Sequence, residues 1–267
     1  MQNVFWLAAL LAVAACSEPR KPATQPAAPE VAPVPAAAQS ATGFDSAAVR
    51  MVPLDQLPIG PSLRPPGTVL EARQWTDANG SNLLLLSRRG PLLEKTTQDA
   101  EVEHYAELFA RQYVQRAGRW QELWHLQDAV RNCPFDLTLG PLFGATAVTD
   151  LDHDGQTETT LLYQLACRSD VSPAQLKLIM REGAAKYALR GHTVVQYDSV
   201  PARQRAPANP CCLDTISPTQ LNAPDGYQLY DGRYETEREF RAAPPAFLRF
   251  ARQQWRRWSV RAESEQL

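Results

Sequence analysis

The chain has 267 residues, of which 44% are hydrophobic and 21% are charged, and its formal net charge at pH 7 is −2. This composition is ordinary for a folded protein, and the length allows one or two domains. A near-neutral chain offers no broad basic surface for phosphate backbones, so we expect no nucleic-acid partner.

An apolar segment opens the chain. Residues 4–15 are an unbroken apolar run that leads directly into Cys16. A membrane-spanning helix needs about 20 apolar residues, so this run is short for a span and fits the core of a signal peptide. The sequence Val13-Ala14-Ala15-Cys16 resembles the lipobox of bacterial lipoproteins. That resemblance implies cleavage before Cys16, diacylation of its Sγ and acylation of the new amine; a plain secretory signal and an uncleaved anchor are the alternatives.

These features predict four regions. Residues 1–16 are the expected lipoprotein signal peptide, and residues 17–43 are a proline- and alanine-rich linker without an aromatic residue. Such a linker buries too little apolar surface to fold, so we expect it to be disordered and extended. Residues 44–67 form an irregular lead-in, and residues 68–267 form a single globular domain. Several acyl chains on Cys16 would anchor the protein stably in a lipid bilayer of the bacterial cell envelope, and we expect the outer membrane.

The domain sequence favours antiparallel hairpins. Turn residues at Asn79-Gly80 and Ala117-Gly118 separate segments with strand-like alternation. A third hairpin is expected from residues 145–149 and 157–166, and a fourth from residues 176–182 and 186–190. Residues 104–116 also fit helical spacing, and a helix opened by Ser172-Pro173 is the alternative for residues 176–182.

The clearest helix lies near the C-terminus. Pro244-Pro245 opens it, and its apolar residues recur at helical spacing: Phe247, Leu248, Ala251, Trp255 and Trp258. We therefore predict a mostly β fold of the α+β class, an antiparallel sheet of hairpins with a C-terminal amphipathic helix.

An acidic loop carries the one specific chemical signal. Its carboxylates occupy positions 1, 3, 5 and 9 with a glycine at position 6, and position 7 offers a main-chain carbonyl; the candidate metal ligands are Asp150, Asp152, Asp154, Gln156 and Glu158. Calcium takes six to eight such oxygens, and this spacing resembles the calcium loops of EF-hand, dockerin and integrin-type repeat proteins.

The loop departs from an EF-hand in two respects. Position 12 is Leu161, so the bidentate glutamate is missing, and the flanking segments are predicted strands. The closer resemblance is to DxDxDG loops that cap β-hairpins. We therefore expect weak calcium binding, with a dissociation constant of about 10⁻⁴ to 10⁻³ M. A metal-free Asp-Gly hairpin turn is the alternative.

Four cysteines remain if Cys16 is lipidated. In an exported protein they are expected to form disulfides, with a four-cysteine zinc site as the alternative. Cys133 precedes and Cys167 follows the hairpin with the acidic loop, and a bridge between them would clamp its base. Cys211 and Cys212 are adjacent and could pair with each other or elsewhere.

Known catalytic signatures are absent from the sequence. It contains no GxSxG, HExxH, phosphate-binding loop or dinucleotide-binding fingerprint. The four histidines are scattered without metal-ligand spacing, so we lean against an enzyme.

The stretch of residues 133–191 resembles a family of bacterial envelope proteins, some labelled as surface polysaccharide biosynthesis proteins. It carries Cys133-Pro134, the acidic loop, Cys167-Arg168-Ser169-Asp170 and the segment of residues 186–191. The resemblance implies a shared fold and assigns no catalytic residue. The predicted function is a membrane-anchored binding or structural module whose partners include cell-wall glycan or an envelope protein; a hydrolase or transferase acting on surface polysaccharide is the alternative.

Overall fold

The computed structural model describes residues 44–95, 102–195 and 199–260. All of them belong to one compact unit, Thr42–Leu267. The predicted signal peptide, Cys16 and the linker lie outside the described residues. No helix in the described ranges combines the length and apolar character needed to cross a membrane.

Five antiparallel strands form the first sheet, and they follow one another in sequence order. Ala117 and Gly118 have φ angles of 48° and 75°, so the predicted turn is of the type that matches the twist of paired strands. The strands are β1 (Arg50–Met51), β2 (Thr68–Asp77), β3 (Gly80–Lys95), β4 (Val102–Arg116) and β5 (Arg119–Cys133).

The second sheet has the order β10-β9-β8-β6, and β7 also pairs with β8. All its pairs are antiparallel. Its strands are β6 (Asp136–Pro141), β7 (Ala147–Thr149), β8 (Glu158–Arg168), β9 (Gln175–Glu182) and β10 (Ala185–His192). The segments that could have been helices are therefore the strands β4 and β9.

The described residues form four layers: the lead-in, the first sheet, the second sheet and the C-terminal region. Three apolar clusters fill the spaces between them. Trp75, Leu84 and Trp124 of the first sheet pack against Leu161 and Ile179 of the second. A second cluster lies between the other face of the second sheet and the C-terminal region. A third joins the outer face of the first sheet to the lead-in. Because both faces of β8 are covered, residues 158–165 are all buried.

Within the described ranges, three α-helices lie in the C-terminal region: α1 (Ala202–Arg205), α2 (Pro218–Leu221) and α3 (Pro245–Trp258). On α3, Phe247, Ala251, Trp255 and Trp258 are buried and pack against the second sheet. The Trp255 Nε1 atom donates a hydrogen bond of 2.8 Å to the carbonyl oxygen of Gly232. The predicted mostly β fold with a C-terminal amphipathic helix is confirmed.

Two strands were not expected from the sequence. β1 lies in the proline-rich lead-in and pairs with β2, and Ile59 of the same segment is 4% exposed. β6 pairs with the second half of β8. Both are short, and β6 ends in Gly140-Pro141, so neither carries a strong local strand signal.

Candidate cation site at the turn between β7 and β8

The acidic loop connects β7 to β8, and Glu158 is the first residue of β8. The chain turns sharply there, since His153 and Gly155 have φ angles of 64° and 86°. Glycine adopts this left-handed conformation without a steric penalty, which is the role predicted for position 6. The His153 side chain is exposed.

The loop and its neighbouring strand bring carboxylates together. Ligand oxygens of Asp150, Asp152 and Glu158 lie within 4.8 Å of one another. A second group joins Asp152 and Asp154 to Glu182, again within 4.8 Å. The four predicted carboxylate ligands therefore all fall in these two groups, which share Asp152, and the second group adds Glu182, a carboxylate that the sequence did not suggest.

Glu182 reaches the site from β9. It lies directly opposite Glu158 in the antiparallel β8–β9 pair. Position 12 of the loop, Leu161, is 2% exposed and packs in the core between the two sheets. An acidic side chain at Leu161 would point away from the loop. One sequence feature could have indicated Glu182: it is an acidic residue at the end of a predicted strand, directly before the turn at Gly183.

Glu158 is an unusual carboxylate because its residue is 0% exposed. Burial raises the pKa of Glu158 to about 7, and the charges of Asp152 and Glu182 add to this. Hydrogen bonds from the Thr149 hydroxyl at 2.8 Å and the Leu151 N–H at 3.0 Å act in the opposite direction. Burial and the nearby carboxylates of Asp152 and Glu182 therefore destabilise the charged form of Glu158.

Glu182 has the same electrostatic character. Burial raises its pKa, followed by the charges of Asp152, Asp154 and Asp150. Among the described residues, no lysine, arginine or histidine forms an ion pair with any of the five carboxylates. The side chains themselves thus provide no compensating positive charge.

Two oxygens of the site are buried without a partner. Neither Asp150 Oδ1 nor Glu182 Oε1 has a hydrogen-bond partner within the described part of the chain. A buried polar atom without a partner costs about 1–3 kcal/mol, and more if it is charged. A hard divalent cation would satisfy such oxygens and neutralise the repulsion between the carboxylates.

Gln156 contributes differently from the loop acids. Its Nε2 donates to Asp154 Oδ2 at 3.0 Å, and its main-chain N–H donates to Asp154 Oδ1 at 2.7 Å. Its Oε1 accepts a hydrogen bond of 3.2 Å from Asn79 Nδ2. The Gln156 side chain therefore holds the loop in shape, and its predicted role as a ligand rests on its main-chain carbonyl.

The turn between β2 and β3 holds the loop from the other sheet. The Ala78 N–H donates to the Gly155 carbonyl oxygen at 2.8 Å. Asp77 Oδ2 accepts from the Thr157 N–H at 3.2 Å and from its hydroxyl at 2.7 Å. The Trp75 Nε1 atom donates to Thr157 Oγ1 at 2.8 Å. The candidate site therefore lies where the two sheets are joined.

The cysteines form two disulfides in the structure. Cys133 is bonded to Cys167, with their Cα atoms 5.6 Å apart, and Cys211 is bonded to Cys212. The first bridge confirms the predicted pairing: it joins the end of β5 to β8, beside the β6–β8 pair in which Leu137 lies opposite Cys167. It therefore closes the base of the segment that carries the acidic loop, and it also ties the two sheets together. With all four sulfurs in disulfides, a four-cysteine zinc site is not formed.

Comparisons with protein families, with curated proteins and with solved structures found no match to this chain. The resemblance of residues 133–191 to bacterial envelope proteins therefore remains a prediction from sequence.

Proposed function

We propose that this domain binds a divalent cation, calcium in particular, through Asp150, Asp152, Asp154, Glu158 and Glu182. The observation that carries the proposal is that these carboxylates form two adjoining groups of three that share Asp152, without a cationic partner among the described residues. Unit charges 4 Å apart repel by about 4 kcal/mol at a dielectric constant typical of protein surfaces. A divalent cation converts this repulsion into attraction.

The donor set favours calcium over softer metals. All five side chains offer carboxylate oxygens, which are hard ligands, whereas zinc and copper prefer nitrogen and sulfur. His153 is exposed and lies outside the groups of possible ligands. Main-chain carbonyls, including that of Gln156, and water would complete a shell of six to eight oxygens.

Affinity follows from the way the ligands are supplied. Glu182 lies on a different strand from the loop acids, so it occupies the place of the missing twelfth ligand from outside the loop. The site remains partly open, because Asp152 and Asp154 are exposed. We expect a dissociation constant of about 10⁻⁴ to 10⁻³ M, which is suited to an extracellular module.

The cellular setting comes from the sequence alone. The predicted lipidation at Cys16 would anchor the protein in the cell envelope, and the linker of residues 17–43 would hold the domain away from the bilayer. We propose that the anchored domain acts as a binding or structural module for cell-wall glycan or an envelope protein. Its cation site would hold the two sheets in the binding-competent arrangement.

The enzymatic alternative needs free paired carboxylates beside a cleft. One surface cavity, of about 360 Å³, includes Asp214 and Glu237 in its lining. Glu237 is bound by Arg252 Nε at 2.7 Å and Nη2 at 2.5 Å, and Asp214 is paired with Arg238 at 3.0 Å. These carboxylates are engaged in ion pairs, so we base the proposal on the cation site.

Calcium titration of the purified protein tests cation binding directly. With a dissociation constant near 1 mM, 10 mM calcium stabilises the folded state by about 1.4 kcal/mol, which corresponds to a rise in Tm of about 3–5 °C. Glu158→Gln should lose the shift. Asp225→Asn is the matched control, since Asp225 is exposed and its side chain caps no helix. A wild-type Tm that does not respond to 10 mM calcium would overturn the proposal.

The anchor is tested separately by membrane fractionation. Wild-type protein should be found with the membranes, whereas Cys16→Ser should be released into the soluble fraction. A Cys16→Ser variant that stays with the membranes would show that the lipid assignment is wrong. That result would not bear on the proposed cation site.

A further inference from the structure

The turn between β2 and β3 makes an ordered set of contacts with the acidic loop. Its three consecutive residues Asp77, Ala78 and Asn79 bond to three consecutive loop residues, numbers 155–157. The bonds include a main-chain pair, a side-chain amide pair and a carboxylate that accepts two hydrogen bonds. None of the turn residues belongs to the groups of possible ligands.

From this geometry we infer that the β2–β3 turn is the positioning element of the cation site, so that cation binding and attachment of the turn are coupled. The inference rests on the proposed function and adds its regulation: the first sheet sets the affinity of a site whose ligands all belong to the second. Thr157 and Asn79 are the positioning residues.

The coupling arises from the alternation of side chains at the start of β8. Thr157, which immediately precedes β8, bonds Asp77 and Trp75 in the first sheet. Glu158, the first residue of β8, instead accepts hydrogen bonds from Thr149 and Leu151, as expected when adjacent residues of extended chain point to opposite sides. Fixing the main chain at Thr157 therefore fixes the origin of the Glu158 side chain. Burial of both Thr157 (3% exposed) and Glu158 (0% exposed) leaves little freedom to adjust.

The loop side is fixed in the same way. Asn79 holds Gln156, and Gln156 in turn donates two hydrogen bonds to the Asp154 carboxylate. The Ala78 N–H fixes the carbonyl of Gly155 between these residues. Without the turn, the acids of the loop would have to be ordered by the cation itself, and that ordering entropy would reduce the affinity.

Coupling between two events is reciprocal, so a cation that binds better to the attached loop must also strengthen the attachment. In the wild type, calcium should therefore slow hydrogen exchange at the Ala78 amide, whose acceptor is the Gly155 carbonyl. Removing one hydrogen bond of the turn should weaken calcium binding by about three- to tenfold, the range expected for a bond of about 1 kcal/mol.

The experiment measures the calcium dissociation constant and Ala78 amide exchange on the full-length protein and on four variants. Thr157→Val and Asn79→Ala should each weaken binding by about three- to tenfold, although every carboxylate remains. Thr157→Ser retains the hydroxyl and should restore wild-type affinity. The control is Thr215→Val, because the hydroxyl of the exposed Thr215 also donates a 2.7 Å hydrogen bond, to the Cys212 carbonyl oxygen.

The outcomes separate the two proposals. If the wild type binds calcium but Thr157→Val and Asn79→Ala bind equally well, the coupling is wrong and the proposed function stands. Equal weakening in Thr215→Val would also overturn the coupling, because it would reflect general destabilisation. A wild type that binds no calcium would overturn both.

Discussion

Glu158 and Glu182 lie directly opposite each other on β8 and β9, and burial is the largest cause of the raised pKa of each. Like charges in directly opposed positions of an antiparallel pair destabilise a sheet. The repulsion between the two carboxylates therefore destabilises the cation-free protein. We expect a bound cation to remove this repulsion.

Neutralising Glu182 tests this relationship. We expect Glu182→Gln to raise the free energy of unfolding in chelator by about 0.5–1 kcal/mol, because one of two opposed charges is removed. The same variant should bind calcium at least about tenfold more weakly, because a charged ligand is lost. Urea denaturation in chelator and in 10 mM calcium measures both effects. Asp225→Asn removes an exposed charge whose side chain makes no cap hydrogen bond, so it should change neither the free energy of unfolding nor the calcium affinity. A Glu182→Gln variant with wild-type calcium affinity would show that Glu182 is not a ligand.

Calcium binding should depend on pH near neutrality. The pKa of Glu158 is raised to about 7 in the folded, cation-free protein, so a proton competes with the cation below that pH. Calcium affinity should rise as the pH increases from about 5.5 to 8, with release of up to one proton per cation bound. Isothermal titration calorimetry in buffers of different ionisation enthalpy measures this proton. A wild-type calcium affinity that is the same at pH 5.5 and pH 8, with no proton released, would contradict the raised pKa of Glu158.

The stability of the cation-free protein should change in the opposite direction. Because the folded-state pKa of Glu158 lies above its unfolded value of 4.5, the folded state holds this proton more tightly. Its contribution to stability is therefore present at low pH and is lost as the pH rises from about 4.5 to about 7. The difference in free energy of unfolding between wild type and Glu158→Gln in chelator, followed across that range, isolates the contribution. A difference that stays constant with pH would contradict the raised pKa.

The disulfide between Cys133 and Cys167 should stabilise the domain without affecting the cation site. It closes a loop with a sequence separation of 34 residues, for which chain entropy gives about 3–4 kcal/mol. Replacing both cysteines with serine should lower the free energy of unfolding by about that amount. The calcium-induced shift in Tm should remain, because the bridge lies at the other end of β8 from the loop. Loss of that shift in a folded double variant would show that the bridge and the site are coupled.

Helix α3 should stabilise the second sheet from its outer face. Trp255 is 0% exposed and bonds the Gly232 carbonyl oxygen, so Trp255→Ala should cost about 3–5 kcal/mol in unfolding free energy. Arg256→Ala, one residue further along the same helix and exposed, should cost less than about 0.5 kcal/mol. Thermal and urea denaturation measure both. Equal costs for the two variants would show that the helix is not anchored through its tryptophan face.

Local signals predicted most elements of this fold. The turn at Ala117-Gly118 needs only the conformational preferences of two residues, and α3 needs only a proline start and helical spacing of its apolar residues. The β2–β3 hairpin forms as predicted, but it turns at Ala78-Asn79, one residue before the predicted Asn79-Gly80. β6 was missed because a short segment ending in Gly140-Pro141 has little local preference. Its strand conformation comes from pairing with β8, a partner that follows it by more than twenty residues.

The sequence also located the acidic loop and four of its acids, since metal-ligand spacing within one turn is a local property. It could not locate Glu182, because that carboxylate reaches the site only through the pairing of β9 with β8. It predicted the Cys133–Cys167 bridge but not that this bridge also ties the two sheets together, because the assignment of β5 and β8 to different sheets depends on contacts distant in the sequence.

By itself the sequence determined most of the strand segments, the helix α3, the position of the acidic loop and the expectation of a lipid anchor at Cys16, because each is encoded within a few consecutive residues. Only the tertiary structure decided that the hairpins divide into two sheets, that Glu182 faces Glu158, and that the Asp77–Asn79 turn holds the loop. These relationships depend on which apolar faces are buried against each other, and that choice minimises the exposed apolar surface of the whole chain. No single segment of the sequence encodes which apolar faces pack together.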